Sequence, residues 1–191
     1  MTETADRISA AALAILLAEG APAVSMRRVA ADAGVTAMAT YRHFPNREAL
    51  LRSVADAAVA ELTADWAGRG RGLGLAQRLD ALADAFLDFA LGRPNLYRYL
   101  VTEHRTDALR FPDDFHTGGS PAFAPVFATV EQALADGVLR DDDPLEVALA
   151  VTTPVMGLVQ LYLGGRMTLS ENDFRALCKR TTRRVLNGLR T

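Results

Sequence analysis

The chain has 191 residues, half of them hydrophobic, and its 21 basic and 23 acidic residues leave a formal net charge of −2. A chain of this length can bury a substantial core, as one compact unit or as a small domain plus a larger one. Alanine and leucine dominate, so helices are expected. The single cysteine, Cys178, excludes an internal disulfide framework and fits a reducing cytoplasm.

The first predicted helix lies within the apolar run from Ile8 to Ala23. This run superficially resembles the apolar part of a signal peptide, but Glu3 and Asp6 outweigh Arg7 where such a peptide is positively charged. One face of a helix accounts for its apolar residues Ile8, Ala11, Ala12, Ile15 and Leu16. We therefore expect an amphipathic helix that packs on the elements that follow it.

A helix-turn-helix pattern occupies the segment from Ser25 to Leu50. Ser25 is a suitable N-cap for a first short helix, and Gly34 supplies the left-handed residue that ends it. Thr36 can cap a second helix over Ala37–His43. Two short helices joined by a tight turn with a glycine form the unit whose second helix enters the major groove of DNA.

The charge of this segment agrees with a DNA-binding role. Between Ser25 and Arg52 there are five basic residues and two acidic ones, a local balance of +3 on a chain whose net charge is −2. Helix N-termini bind anions, and arginines there add charge-assisted hydrogen bonds to a phosphate. The alternative interpretation is a set of solvated surface arginines.

The run AGVTAMATYRHFPNREAL resembles the recognition segment of the TetR (tetracycline-repressor-like) family of bacterial transcription regulators. Its pattern is Ala-Gly-Val, a short helix ending in Tyr-x-x-Phe, a small polar turn, a basic residue, Glu and Leu. The preceding SMRRVAADAGV matches the first helix of the family's motif. The resemblance covers about residues 8 to 52, roughly a quarter of the chain. Met38-Ala39 stands where the family often has Gly-Thr or Gly-Ser, so the operator sequence is not implied.

The start of the recognition helix faces base edges in this architecture. The residues there are Thr36, Ala37, Met38 and Ala39. Small side chains allow a close approach, and Met38 or an alanine methyl can touch a thymine methyl. Alternatively, the small residues only ease helix packing.

Phosphate contacts are implied by the resemblance. Tyr41 and His43 match family positions that hydrogen-bond phosphates, and Arg42 can reach either a base or the backbone. Arg27 and Arg47 are carried over as further phosphate contacts. For Tyr41 the alternative is a buried aromatic side chain, and Arg28 can equally point to solvent.

Beyond the motif the pattern predicts a connecting helix, a flexible Gly-Arg-rich linker, a mobile loop over Thr106–Ser120 and five further helices. The helices are expected at Asn46–Ala67, Leu75–Leu91, Asn95–Arg105, Pro121–Asp136, Leu145–Leu163 and from Ser170 onward. No apolar run is expected to reach the roughly 18 residues that a membrane span needs.

The last two helices are predicted to form a four-helix interface with a second copy of the chain. Leu145–Leu163 is apolar almost all round, and the final helix carries an apolar stripe. The TetR resemblance implies the same arrangement. The predicted interface residues are Leu158, Leu161, Tyr162, Phe174, Leu177, Cys178, Thr181 and Val185. The basic residues of the final helix are expected to form a solvated rim, with a second DNA site as the alternative.

The resemblance also implies that a small effector binds inside the larger domain. A largely apolar pocket with a few polar groups suits a drug-like or lipid-like molecule. Candidate lining residues are Phe86, Phe89, Tyr97, His104, Phe123, Phe127, Thr152, Met156 and Gln160. Taken singly, each of these aromatics can also be an ordinary core residue.

The sequence therefore predicts an all-α protein of about nine helices. Residues 1–47 form a three-helix DNA-binding domain, and residues 48–191 form a helical effector-binding and dimerisation domain. The expected function is that of a cytoplasmic, ligand-responsive repressor, which binds a palindromic operator as a homodimer and is released by a small, largely apolar effector.

Other classes of protein are less well supported. The three histidines are scattered without metal-ligand spacing, and no nucleophile elbow or P-loop is present, so neither an enzyme nor a cofactor is expected. The remaining alternative is a helical interaction adaptor or small-molecule-binding protein that does not bind DNA specifically.

Overall fold

The structure is a computed structural model that describes residues 3–103, 105, 108–116 and 120–190. Within these ranges it contains ten α-helices, two 3-10 turns and one isolated β-bridge, which confirms the predicted all-α fold. The helices are α1 (Glu3–Glu19), α2 (Met26–Asp32), α3 (Ala37–His43), α4 (Arg47–Thr63), α5 (Leu75–Gly92), α6 (Pro94–Val101), α7 (Asp113–His116), α8 (Ala124–Ala135), α9 (Pro144–Leu163) and α10 (Glu171–Leu189).

The short helix α7 lies where the sequence predicted a loop. Its first turn begins with Asp113 and Asp114, and carboxylates stabilise a helix N-terminus. The Asp114 carboxylate also accepts a hydrogen bond of 2.7 Å from the Arg110 main-chain N–H. A single helical turn of this kind has no apolar periodicity, which is why the sequence pattern missed it.

The chain divides into two compact units. The first comprises Met1–Leu62 and Arg93–Ala108, and the second comprises Thr63–Gly92 and Leu109–Thr191. The predicted boundary between residues 47 and 48 differs from this division. The first unit retains nearly all of α4, which carries five buried residues: Leu50, Leu51, Val54, Ala55 and Ala58.

The first unit is built on α1, against which α2, α3 and α6 pack. The buried face of α1 includes Ile8, Ala12, Ile15 and Leu16, as the helical spacing predicted. On α6, Leu96 and Tyr97 are fully buried. The Asn95 amide Nδ2 donates 3.0 Å to the main-chain oxygen of Leu17, near the C-terminus of α1, which otherwise has few partners for its last carbonyls.

The second unit has a core of four helices, in which α9 packs on α5, α8 and α10, and α10 also packs on α5. Side chains cap the two long C-terminal helices. The Asp143 carboxylate accepts from the N–H groups of Leu145 and Glu146, at 2.8 and 3.0 Å, and begins α9. Ser170 Oγ accepts from the Asp173 N–H at 3.2 Å and begins α10.

The length and composition of α9 contradict the expectation that no apolar run reaches the length of a membrane span. Its 20 residues are long and apolar enough, by length and composition, to cross a bilayer. The same test is passed by core helices of soluble proteins, and α9 packs on three other helices of its unit. Its side chains Val147, Ala148, Val151, Val155 and Val159 are buried there.

Candidate DNA-binding and effector-binding sites

The helix α3 presents most of its surface to solvent. Thr36, Ala37, Met38, Tyr41, Arg42 and His43 are exposed, and Ala39 is half-buried. Met38 has 67% and Tyr41 has 50% of its surface exposed, so Tyr41 is not a core aromatic. Thr40 is fully buried and faces the rest of the unit. The predicted base-reading residues therefore share one accessible helix.

Side-chain caps fix the starts of both helices of the helix-turn-helix. Ser25 Oγ accepts from the Arg28 N–H at 3.3 Å, and Thr36 Oγ1 accepts from the Ala39 N–H at 3.2 Å. Gly34 adopts a φ of +63°, the left-handed conformation that glycine tolerates. These are the positions that the sequence pattern assigned to the caps and the turn.

The turn is also held from α1 by Arg7. Its guanidinium Nε donates 3.1 Å to the main-chain oxygen of Ala33, and Nη2 donates to the same oxygen and to that of Gly34 at 3.0 Å. Ala33 and Gly34 follow the end of α2, where helix carbonyls lack partners within the helix. A methyl group on Gly34 would lie 3.1 Å from Arg7 Nη2, so the glycine also leaves room for this contact.

The basic side chains near α3 fall into two groups, those without a partner and those already paired. In the described chain the exposed side chains of Arg27, Arg42 and His43 take part in no hydrogen bond or ion pair. Arg28 instead pairs with Glu19 at 2.9 Å and with Asp32 at 3.8 Å. Its hydrogen bonds to Glu19 lower the pKa of that carboxyl group. The first group remains available to an anion.

Arg47 is engaged within the chain. Its Nε donates 2.8 Å to the main-chain oxygen of Val24, and its Nη2 donates 2.5 Å to that of Ala21. Nη1 lies 3.5 Å from the Glu48 carboxylate. Arg47 was predicted to contact a phosphate, but two of its three guanidinium nitrogen atoms are already hydrogen-bonded to main-chain oxygens.

The predicted effector residues lie in different surroundings. Phe86, Phe123, Phe127, Thr152 and Met156 are half-buried residues of the second unit, Phe89 is buried there, and Gln160 is exposed. Tyr97 is a fully buried residue of α6 in the first unit. His104 lies outside the described residues.

A row of four phenylalanine rings is formed by α7, α8 and the residues that precede each of these helices. Ring centroids are 6.2 Å apart for Phe111 and Phe115, 5.2 Å for Phe115 and Phe123, and 6.4 Å for Phe123 and Phe127. None of the four is fully buried, and Phe111 is half exposed. Sequence reasoning missed Phe111 and Phe115, although their spacing of four residues repeats that of Phe123 and Phe127.

The predicted interface residues separate into buried and accessible ones. Phe174 and Cys178 have no exposed surface within a single chain, so they are core residues of their unit, and their contact with a partner stays a prediction. The Phe174 ring instead stacks on that of Tyr162 with centroids 4.1 Å apart. Burial also raises the pKa of the Cys178 thiol to about 11. Accessible surface remains on Leu158, Leu161, Tyr162, Leu177, Thr181 and Val185.

Three basic residues of α10 form an ion-pair ladder with α5, rather than a solvated rim. Arg175 Nη1 lies 2.7 Å from an Asp88 oxygen, Lys179 Nζ lies 2.7 Å from an Asp84 oxygen, and Arg183 pairs with Asp80. The steps of four residues on both helices bring these charges together because the helices run antiparallel. A second DNA site would have to compete with these aspartates.

Residues that could hold a metal ion are not grouped in the described part of the chain, where no three His, Cys, Asp or Glu side chains form a suitable cluster.

A helix-turn-helix with an exposed second helix, followed by a separate helical unit, is the architecture of a helix-turn-helix DNA-binding protein. Two family profiles make the class more specific.

Residues 8–54 match the profile described as bacterial regulatory proteins, tetR family. Residues 79–185 match the tetracyclin repressor-like C-terminal domain, and this match alone spans more than half of the chain. The chain therefore belongs to the TetR family of transcriptional regulators. Regulators of this family are transcription factors without enzymatic activity, and they combine a DNA-binding N-terminal domain with a ligand-binding C-terminal domain.

Solved structures share this fold over nearly the whole chain. The flavonoid-responsive regulator FrrA is 26% identical, with a TM-score of 0.69 and coverage of 98% of this chain and 97% of FrrA. A protein of unknown function from Rhodococcus sp. RHA1 is 24% identical, with a TM-score of 0.81 and coverage of 100% and 97%. FadR from Bacillus subtilis, in complex with stearoyl-CoA, is 15% identical, with a TM-score of 0.75 and coverage of 96% and 98%. No curated protein sequence matches this chain.

Proposed function

We propose that this protein is a cytoplasmic repressor that binds a palindromic operator as a homodimer and releases it when a small, largely apolar effector binds. The observation that carries the proposal is the exposed face of α3, where Met38 and Tyr41 are mostly or half exposed on a surface next to unpaired cations. A solvent-exposed apolar side chain of this size on a recognition helix suits contact with a thymine methyl.

The proposed DNA contacts follow the accessible side chains. Thr36, Ala37, Met38 and Ala39 read base edges, while Tyr41, His43 and Arg27 contact phosphates and Arg42 reaches either. A homodimer would place two copies of α3 in successive major grooves, about 34–36 Å apart. The accessible apolar surface of α9 and α10, including Leu161, supports pairing through these two helices.

The proposed effector is apolar and binds in the second unit. An apolar pocket wall is supported by four half-buried side chains, those of Phe86, Phe123, Phe127 and Met156. Phe111 and Phe115, which the sequence analysis did not identify, continue the row of aromatic rings from Phe123. FrrA responds to a flavonoid, and FadR from Bacillus subtilis is seen with stearoyl-CoA. A flavonoid has an aromatic ring skeleton and stearoyl-CoA carries a long apolar acyl chain, and such groups agree with the chemistry of these side chains.

The experiment that tests the proposal measures binding of the purified protein to tiled duplexes from the DNA flanking its gene, by fluorescence anisotropy. We expect saturable binding to one tile at two protomers, or a multiple of two, per site. With about six to eight phosphates contacted, log affinity should fall against log salt with a slope of roughly −5 to −7. If every flanking tile binds weakly and equally, the same measurement is made on duplexes selected from the whole genome, and weak, equal binding there too would refute the proposal and favour an interaction adaptor.

Base reading and phosphate contact are separated by two variants. Met38→Ala is expected to change which operator variant is preferred, because it removes the apolar contact to a base. Arg27→Gln is expected to weaken all duplexes alike and to lower the salt slope by about 0.9 per protomer. If both variants keep the wild-type preference and slope, α3 and the start of α2 do not contact the operator as proposed.

A further inference from the structure

We infer that Arg47 is a positioning residue that holds the entry to the helix-turn-helix, and that it does not bind a DNA phosphate. This inference rests on the proposed function, and it reverses the role that the family resemblance assigned to the position. It is carried by the hydrogen bonds of the side chain itself.

The guanidinium group of Arg47 makes two hydrogen bonds to the main chain. Nε and Nη2 donate to the carbonyl oxygens of Val24 and Ala21, at 2.8 and 2.5 Å. Each of these two residues is only 1% exposed. Val24 lies immediately before Ser25, the N-cap of α2, and Ala21 lies four residues before it. The first residue of α4 is thereby tied to the segment from which α2 begins.

A phosphate would have to displace these bonds. The buried oxygen of Val24 would lose its charged donor, which is costly, and that of Ala21 would keep only the Val24 N–H. The remaining nitrogen, Nη1, lies 3.5 Å from the Glu48 carboxylate, which would repel an approaching phosphate. In contrast, the exposed side chain of Arg27 has no such competitor in the described chain.

The geometry also distinguishes Arg47 from a lysine. A guanidinium reaches two carbonyl oxygens at once through a planar fork, whereas an ammonium group is a point charge that cannot reproduce both bonds. Lysine would nevertheless serve a phosphate as well as arginine does. The conservative substitution therefore separates the two roles.

Together with Arg7, Arg47 holds the motif at both ends. Arg7 donates to the oxygens of Ala33 and Gly34, after the end of α2, and Arg47 donates to those of Ala21 and Val24, before its start. Loss of Arg47 is expected to loosen the orientation of α2, and with it that of α3, on which base reading depends.

The test compares Arg47→Lys, Arg47→Gln and the control Arg27→Gln on the operator and on a scrambled duplex, over a range of salt concentrations. Each affinity is corrected for the active fraction by stoichiometric titration, so that a loss of stability alone changes nothing. For both Arg47 variants we expect about tenfold weaker operator binding, unchanged binding to the scrambled duplex and an unchanged salt slope. Arg27→Gln should instead lower the slope by about 0.9 per protomer.

Two results would overturn the inference. One is a salt slope lowered by Arg47→Gln and restored, together with the affinity, by Arg47→Lys. The other is an Arg47 variant whose amide hydrogens at Ala23 and Val24 exchange at the wild-type rate. Loss of the two guanidinium hydrogen bonds should open the turn that contains these residues more often, and so speed their exchange about tenfold. The exchange measurement needs no DNA, so it decides the positioning role even if the wild-type protein recognises no duplex. If Arg47→Gln does not fold, Arg47→Lys supplies both readouts.

Discussion

Long basic side chains at the ends of α2, in the first unit, and along α10, in the second, have different kinds of acceptor. In the first unit, Arg7 and Arg47 donate to main-chain carbonyl oxygens at the ends of α2. In the second, Arg175, Lys179 and Arg183 pair with carboxylates along α5. Main-chain acceptors are present whatever the side chains are, whereas the ion pairs depend on their partners and are screened by salt. We therefore expect the hydrogen bonds at the ends of α2 to depend less on salt than the ion pairs between α10 and α5.

The largest expected loss of stability comes from the apolar core of the second unit. Phe174→Ala removes a fully buried ring that stacks on Tyr162, which should lower the free energy of unfolding by about 3–5 kcal/mol. Urea unfolding followed by fluorescence of the single tryptophan, Trp66, reports on this unit. Leu73→Ala, at a position 56% exposed, is the control and should cost under about 1 kcal/mol. Equal losses would mean that Phe174 does not anchor the core.

The next largest effect is expected for the arginine at the turn of the first unit. Arg7→Met leaves the oxygens of Ala33 and Gly34 without their charged donor, at a cost of about 2 kcal/mol. The loss is measured by helical circular dichroism during urea unfolding. Arg27→Met, the matched control at an exposed position, should stay within about 0.5 kcal/mol of the wild-type protein. If Arg7→Met unfolded at the same urea concentration as the wild-type protein, the main-chain hydrogen bonds of the first unit would contribute no more to stability than exposed ion pairs do.

A smaller effect is expected at the N-cap of α2. Ser25→Ala deletes the acceptor of the Arg28 N–H and should cost about 1 kcal/mol. Ser53→Ala, at an exposed position inside α4, gives the comparison, since alanine is the better helix former there and should not destabilise. If the two substitutions had the same effect on unfolding, capping would not set the start of the motif.

The smallest effect is expected in the ion-pair ladder. A double-mutant cycle on Lys179→Met and Asp84→Asn should give a coupling energy of about 0.3–1 kcal/mol, because both side chains keep about a third of their surface exposed. Molar salt should reduce this coupling, while the effect of Arg7→Met should persist. A coupling energy that does not change with salt concentration would show that the ion-pair ladder behaves like the main-chain hydrogen bonds of the first unit.

Local features of the fold were predictable from the sequence. The caps Ser25 and Thr36, the left-handed Gly34 and the buried stripe of α1 each depend on residues within about one or two helical turns. The family resemblance then identified α3 as the recognition helix, and the family matches confirm the family itself.

Contacts between distant residues were not predictable in the same way. Arg47 reaches oxygens 23 and 26 residues away, and the ladder joins residues as far as 103 apart. Neither distance leaves a periodic trace in the sequence. The same applies to Phe174 and Cys178, because an apolar stripe does not reveal whether it faces the chain's own core or a partner.

The seven-residue helix α3 has one fully buried side chain, Thr40, and its start is fixed by the Thr36 cap. Five of its other positions are exposed. Substitutions at these positions therefore touch little that the fold depends on. Operator preference can diverge through them in small steps, one base contact at a time, while the stability of the protein stays nearly constant.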